Sequence, residues 1–321
     1  MMSSRSESSP ENDDPVLDDD VAVAIVQRHV PTAKRVTAVD ESGRKGRAYF
    51  IDHNIVLKTH RPVRLRTRVV EEFETSLEKE ALFLEHMARE PGIRTPRLLG
   101  YGRESGVEYV CMTRVLGVTL RRTGFSPLQR ERALRELGVT LRRIHGLPQA
   151  PLANSSLFPQ VGSGPAMRVH LEGLFARIVE AMSELPQEWQ MRLPADQVAA
   201  TALAALPDTT ERVALHSNPA GEHVFADPQT GALTGLIDFG DAYIGHPAFD
   251  LRPWRELGDR NAVLSGYVQE TGPVDGSFLA TWRVALILGE LAAVLRMREP
   301  PARAEERLRL LLRDIEEGSE P

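Results

Sequence analysis

A chain of 321 residues, 42% hydrophobic and 26% charged, is long enough for two lobes with real cores and has the balance of an ordinary globular protein. A formal net charge of −6 with no Lys/Arg block argues against a nucleic-acid partner. One cysteine, Cys111, excludes an internal disulfide and a cysteine zinc site, and within Tyr109-Val110-Cys111-Met112 it reads as a small buried hydrophobe.

In chain order, residues 1–20 are rich in Ser, Asp, Glu and Pro and read as a disordered acidic tail. They hold no apolar stretch of the signal-peptide kind. The best membrane candidate, 282–295, is short and interrupted by Arg283 and Glu290, so no membrane partner and a cytoplasmic location are expected. Order is expected to begin near Val21, with a short helix carrying Val21, Ile25 and Val30 and stopped by Pro31. Strand-like runs follow at 35–39, 47–51 and 54–59, the last two separated by the turn-like Asp52-His53. Phe73, Leu77, Ala81, Leu84 and Met87 recur at helical spacing and predict a helix over 69–89, ended by Pro91-Gly92. Two more strands are predicted at 97–101 and 107–112.

After Gly117 the pattern turns helical. Ser126 and Pro127 are a strong helix start, Leu134, Leu137, Leu141 and Ile144 form one apolar stripe, and Gly146 ends it. Helical periodicity returns over 167–183, 195–206, 277–298 and 302–317. A hairpin over 222–237, turning at Asp227-Pro228-Gln229-Thr230-Gly231, is the one clear strand pair in this half. The expected organisation is α+β: a disordered tail (1–20), a smaller lobe built on an antiparallel sheet with one helix (21–115), and a larger, mainly helical lobe carrying the hairpin (116–321).

Folding that hairpin brings His223 and Asp238 to the same open end, with Asn218 just before the first strand. An imidazole and a carboxylate side by side can ligate a divalent cation, and Mg²⁺ takes one or two such ligands together with nucleotide phosphates; capping of the strand ends is the plainer alternative. The chain has only four lysines, Lys34, Lys45, Lys58 and Lys79, three of them in polar surroundings. Lys58 instead follows Ile55-Val56-Leu57, where a compact ammonium suits phosphate oxygens. Glu80 flanks the inward stripe of the next helix and is the better placed of its acids to pair with Lys58.

The order of strand Lys, helix Glu, Leu215-His216-Ser217-Asn218 and Leu236-Ile237-Asp238-Phe239-Gly240-Asp241 resembles the aminoglycoside phosphotransferase family of kinase-like proteins. Gly245-His246-Pro247-Ala248-Phe249-Asp250-Leu251, Thr95-Pro96-Arg97-Leu98-Leu99-Gly100 and Leu141-Arg142-Arg143-Ile144-His145-Gly146-Leu147 extend the resemblance over about 30–260. It implies a bilobal protein-kinase-like fold that binds ATP or GTP with Mg²⁺ and phosphorylates a hydroxyl of a small molecule, an aminoglycoside, a macrolide or a related metabolite. By the same resemblance Lys58, oriented by Glu80, contacts the α- and β-phosphates. Met112, Thr113 and Val115 form the hinge that binds the base, His223 and Asp238 hold the metal, Asp250 braces the catalytic loop through backbone N–H groups, and His216 packs near the Asp-Phe-Gly turn. His223 stands where many members have Asn; macrolide kinases resemble this chain in having His there.

One residue departs from the pattern in a way that touches chemistry. Asn218 occupies the catalytic base position, where the family carries Asp; an amide accepts a hydrogen bond but takes no proton at neutral pH. Weakened transfer, from an engineered or a natural change, and a nucleotide-binding pseudokinase are both compatible with it. Ser217 where Gly is common is a milder departure, and a Gly-rich phosphate loop is represented only by Gly43 and Gly46. For the acceptor, Glu172, Glu180, Glu184, Glu188, Asp241 and Glu290 could meet ammonium groups, whereas Trp254, Phe278 and Trp282 could line an apolar pocket.

Overall fold

Alternation of buried and half-buried residues makes 46–60 a hairpin with one face in a core and one outside. In the computed structural model, which describes residues 16–43, 46–60, 75–104, 106–121 and 124–318, this hairpin is the centre of the first of two compact units. Most of the 1–20 segment, Lys45 and the first part of the 69–89 helix with Phe73 lie outside the described residues. The first unit comprises 1–66 and 99–114, the second 67–98 and 115–321.

The first unit contains α1 (Asp19–Gln27) and β1 (Val36–Asp40), β2 (Gly46–Ile51), β3 (Ile55–His60), β4 (Leu98–Glu104) and β5 (Val107–Thr113). The sheet order is β1-β2-β3-β5-β4, with β1–β2, β2–β3 and β3–β5 antiparallel. Ala22, Ile25 and Val26 of α1 pack on Tyr49, Ile51, Ile55, Leu57, Tyr109 and Cys111 to form its core, and the Tyr49 hydroxyl accepts the Leu17 N–H at 2.8 Å. Burial pushes the Cys111 thiol up to about 12, so it is a packed, unreactive group.

The second unit opens with α2 (Leu77–Met87), then β6 (Val118–Thr119), α3 (Pro127–His145), α4 (Ala150–Ala153), α5 (Pro165–Ser183), α6 (Ala195–Ala204), β7 (Val213–Leu215), β8 (Val224–Ala226), β9 (Leu233–Leu236), β10 (Tyr243–Gly245), α7 (Leu257–Val268), α8 (Gly276–Leu295) and α9 (Pro301–Glu316). The helix α2 belongs here because its start is tied to the Asp-Phe-Gly segment. Ser76 N–H donates to Gly240 O at 3.1 Å, Thr75 hydroxyl bonds Asp241, and Phe83 meets Phe239 edge-on at 5.2 Å. Ser126 and Gln129 close a reciprocal capping box at the start of α3.

Four expectations need correction. The hairpin β8–β9 is joined by β6 into three strands, and β7 pairs with β10, so it is not the only strand pair. Glu222 and His223 sit in the turn before β8 rather than in the strand. Lys79, grouped with the polar lysines, is buried. The apolar segment near 282–295 extends to the 20-residue α8, which is long and apolar enough by composition to cross a membrane; 78% of its most apolar stretch is buried inside the protein, which makes it a core helix. Arg283 and Glu290 do not break it, because both are themselves buried.

Candidate active site

The loop between β7 and β8 takes its shape from one buried carboxylate. Asp250, fully buried in the 3₁₀ turn Pro247–Leu251, accepts His216 N–H through Oδ2 and Ser217 N–H through Oδ1, each at 2.8 Å. Its Oδ2 also meets His145 Nε2 at 3.0 Å, and His145 Nδ1 meets the Tyr267 hydroxyl at 2.9 Å. Since a carboxylate oxygen only accepts, His145 donates Nε2–H to Asp250. A carboxylate removed from water in this way is held by three hydrogen-bond donors. The backbone it fixes is strained: Ser217 has φ +78°, a left-handed conformation in which a side chain costs about 1–2 kcal/mol. That is a physical reason for glycine to be common at this position. Arg252 Nη2 donates to Ser217 O at 3.2 Å and holds the same peptide from the other side.

His216 is fully buried. Its Nε2–H donates to Ile237 O at 2.8 Å, its Nδ1 accepts Asn218 N–H at 3.2 Å, and its ring lies 4.6 Å from Phe239. Burial depresses its pKa, with the Asp250 charge acting in the opposite sense, so the ring is neutral. With both nitrogens engaged it positions Asn218 and the Asp-Phe-Gly segment and has no free atom for a substrate.

Asn218 O takes Ala220 N–H at 2.8 Å and His223 Nδ1–H at 2.8 Å. That second bond fixes the His223 tautomer and leaves the Nε2 lone pair facing Asp238 Oδ2 at 3.3 Å. An imidazole nitrogen and a carboxylate oxygen this close could share a divalent cation as ligands. Asp238 itself has φ +74°, a second strained backbone, held between Ile237, whose N–H donates to His223 O at 3.0 Å, and Phe239, whose N–H lies 3.4 Å from Glu80 Oε1. Both side chains reach solvent, at 17% and 35% exposure, so a hydrated ion bound to nucleotide can approach them. Among the described residues no group of three His, Cys, Asp or Glu forms a complete metal cage. A pair of ligands is what Mg²⁺ needs when phosphate and water supply the rest, and the residues present fit it.

Lys58 lies in the first unit, in register with Ala48 and Val110. It is on the half-buried face of β3, opposite Leu57 and Thr59. Its stem runs over Gly46, where an added Cβ would stand 3.2 Å from Lys58 Cε. Met112 is buried and Thr113 half-buried at the end of β5, in register with Val56 and Ile55. Val115 belongs to the second unit and packs on Gly235, where a Cβ would come within 2.8 Å of it. Glu80 is buried in α2. Asp241, one of the acids near the loop, is engaged by Thr75.

A sequence profile described as the phosphotransferase enzyme family, APH, matches residues 37–254, well over half of the chain. The chain belongs to the phosphotransferase enzyme family. Comparison with curated proteins returns no match. Among solved structures, this phosphotransferase-family chain is similar to a Ralstonia eutropha JMP134 protein described as a candidate aminoglycoside phosphotransferase (TM-score 0.64, 12% identity, 92% of this chain and 97% of that one). It is also similar to aminoglycoside 2'-phosphotransferase-IIIa in its GDP complex (TM-score 0.60, 15% identity, 91% and 97%). A third is a thermostable APH(4)-Ia with ADP and hygromycin B (TM-score 0.56, 16% identity, 91% and 97%). At these identities the likeness is one of fold. The phosphotransferase fold thus extends over almost the whole chain, beyond the residues the profile matches.

Sequence reasoning singled out Asn218, His223, Asp238 and Asp250, which the structure gathers around one loop. It assigned no role to His145, Tyr267 or Arg252. His145 stood at the end of a quoted motif; Tyr267 and Arg252 carried no signal, because their contacts join residues 122 and 35 positions apart.

Proposed function

We propose that this protein is a nucleotide-dependent phosphotransferase that acts on a hydroxyl of a small molecule, with transfer slowed by Asn218. The observation that carries the reading is the His223–Asp238 pair, 3.3 Å apart with the imidazole tautomer fixed by the Asn218 carbonyl. His223 and Asp238 would hold Mg²⁺, which when bound neutralises charge on the nucleotide phosphates. In this reading Lys58, with Glu80, takes phosphate oxygens of ATP or GTP, and Met112, Thr113 and Val115 take the base. Relatives of the same fold carry GDP or ADP together with kanamycin or hygromycin B in their solved complexes, which supports a nucleotide donor and an antibiotic-like acceptor, and with it a part in antibiotic resistance.

Asn218 occupies the position from which the acceptor hydroxyl is aligned. Its amide oxygen can accept that hydrogen bond and orient the oxygen, but the proton must leave to solvent. Phosphoryl transfer depends mostly on positioning and charge stabilisation, so turnover survives at a level lowered by the general-base contribution of about 10²–10⁴-fold. The amide also favours a second reading, a nucleotide-binding pseudokinase that transfers nothing.

The first test is binding. Mg²⁺ with ATP or GTP is expected to raise the melting temperature of the full chain, and Asp238→Asn to remove the metal-dependent part of that rise. No shift with either nucleotide would sink the assignment of Lys58 and Asp238. Slow ADP release with a hydroxylated acceptor separates the enzyme from the pseudokinase, which binds nucleotide and releases none.

A further inference from the structure

The His223–Asp238 pair mixes two kinds of donor, a carboxylate oxygen and an imidazole nitrogen, and the backbone fixes which nitrogen that is. Ala220 N–H donates to Asn218 O at 2.8 Å and His223 N–H to Ala220 O at 2.9 Å. These turns carry His223 back over the loop, where its Nδ1–H donates to Asn218 O at 2.8 Å. The ring is also held from the side. His216, fully buried and bonded through both nitrogens, stacks on it with centroids 6.0 Å apart and planes 26° apart. Nε2 is left as the nitrogen facing Asp238 Oδ2, 3.3 Å away. Ile237 N–H on His223 O at 3.0 Å ties the two donor-bearing segments together, so this separation is set by the backbone. Adjacent donors around one octahedral ion with bonds of about 2.1 Å stand about 3.0 Å apart, so the two can share an ion with little movement.

The two donors do not rank ions alike. Carboxylate, phosphate oxygens and water suit Mg²⁺, a hard ion that gives up its water reluctantly. An imidazole suits first-row transition ions better. A bond from its other N–H to a carbonyl fixes the tautomer and aims the ring at the ion, and His223 has that bond. An amide oxygen in its place, as Asn would supply, makes the set all oxygen and returns it to the chemistry of Mg²⁺. One nitrogen among oxygens, with no second nitrogen or sulfur donor beside it because His216 is engaged at both nitrogens, matches Mn²⁺. That ion accepts carboxylate, phosphate and water in six-coordinate sites and takes imidazole as well.

From this geometry we infer that the ion carried in with the nucleotide is Mn²⁺ in preference to Mg²⁺, and that His223 is the residue that sets the choice. The inference rests on the phosphotransferase reading of the same pair and narrows its metal. Transition ions bind most oxygen and nitrogen donors somewhat more tightly than Mg²⁺ does, so the deciding quantity is how far the Mn²⁺-to-Mg²⁺ affinity ratio changes when the imidazole is removed.

The full chain is titrated with Mn²⁺ and with Mg²⁺ in the presence of a non-hydrolysable analogue of ATP or GTP, whichever raises its melting temperature. The Mn²⁺ complex is also read by pulsed EPR. Mn²⁺ is expected to bind the more tightly, and its spectrum to show the coupling of a directly bound histidine nitrogen. His223→Asn should lower Mn²⁺ affinity by about tenfold or more, the least that losing even an outer partner of a metal ligand costs. It should change Mg²⁺ affinity much less and abolish the coupling. An equal ratio in the two proteins overturns the proposal. So does an Mn²⁺ complex of the native chain without nitrogen coupling, which makes His223 only a hydrogen-bond partner of Asp238; that reading needs no variant and stands even if His223→Asn does not fold. A native chain that nucleotide stabilises with Mg²⁺ but not with Mn²⁺ overturns this inference and leaves the phosphotransferase reading standing. No nucleotide-dependent stabilisation with either ion overturns both.

Discussion

Ser217 concentrates the cost of building the loop. Its φ of +78° is imposed because Asp250 must receive two successive N–H groups, from His216 and Ser217, on its two oxygens. Glycine adopts that conformation without a Cβ clash. Ser217→Gly is therefore expected to stabilise the protein by about 1 kcal/mol, after allowing for the greater freedom of glycine in the unfolded chain. The denaturation midpoint is the measurement, and a destabilisation would show that the strain has been misread. At this scale much of the loop's geometry was legible in the sequence. His223 and Asp238 meet because strand pairing leaves them no alternative, so reading the hairpin was enough to bring them together. The Asp250 brace was reached only through resemblance, since nothing in Pro247-Ala248-Phe249-Asp250 says where its carboxylate points. The status of Asn218 was legible as chemistry, because an amide differs from a carboxylate wherever it sits.

At the scale of elements, the strongly periodic helices and the capping signals translated directly: Ser126-Pro127 opens α3 and Gly146 closes it. The helix α7, Leu257–Val268, was not predicted, and its composition explains why. Gly258, Ser265 and Gly266 are poor helix formers and blur the apolar stripe. Gly266 is there for packing: a Cβ would stand 1.9 Å from Arg135 O of α3, and one on Gly138 would stand 2.1 Å from Val263 O of α7. The two helices cross backbone to backbone, and that crossing sets Tyr267 against His145 and so against Asp250. Gly266→Ala is expected to cost about 3 kcal/mol, at the upper end of overpacking, and to reduce activity with it. Gly258→Ala in the same helix, with no atom within 4 Å of the new Cβ, should be neutral or stabilise by up to about 1 kcal/mol. Chemical denaturation of the two variants checks this; equal effects would mean that the crossing does not select glycine.

For the whole molecule, buried histidines set the acid limit. His246 is buried and its pKa is pushed down to about 4 by loss of water, with Asp275 opposing and His145 reinforcing the shift; His216 is depressed in the same way. An unfolded histidine takes up its proton near 6.5, so between about 4 and 6.5 the unfolded chain binds more protons and stability falls as pH falls. The loss is up to about 1.4 kcal/mol per pH unit for each such residue. Glu211, whose pKa is raised mainly by burial, acts in the opposite sense just above its ordinary value and offsets part of the loss. The melting temperature should therefore drop from pH 7 to pH 4.5, with a shallower drop in His246→Gln. Parallel profiles for the two proteins would remove His246 from the account.

The proposed phosphotransfer turns on one mismatched group, Asn218, beside a loop on which His223 and Asp238 stand 3.3 Å apart. The measurement that tests it most directly is ADP release by the native chain and by Asn218→Asp, side by side, with Mg²⁺, ATP and a panel of anionic, neutral and cationic hydroxylated acceptors. A rise in kcat of about 10²–10⁴-fold is expected on at least one acceptor, with the nucleotide-induced thermal shift unchanged. An Asn218→Asp variant that binds Mg²⁺ and ATP as the native chain does, yet transfers phosphate to no acceptor in the panel, would contradict it.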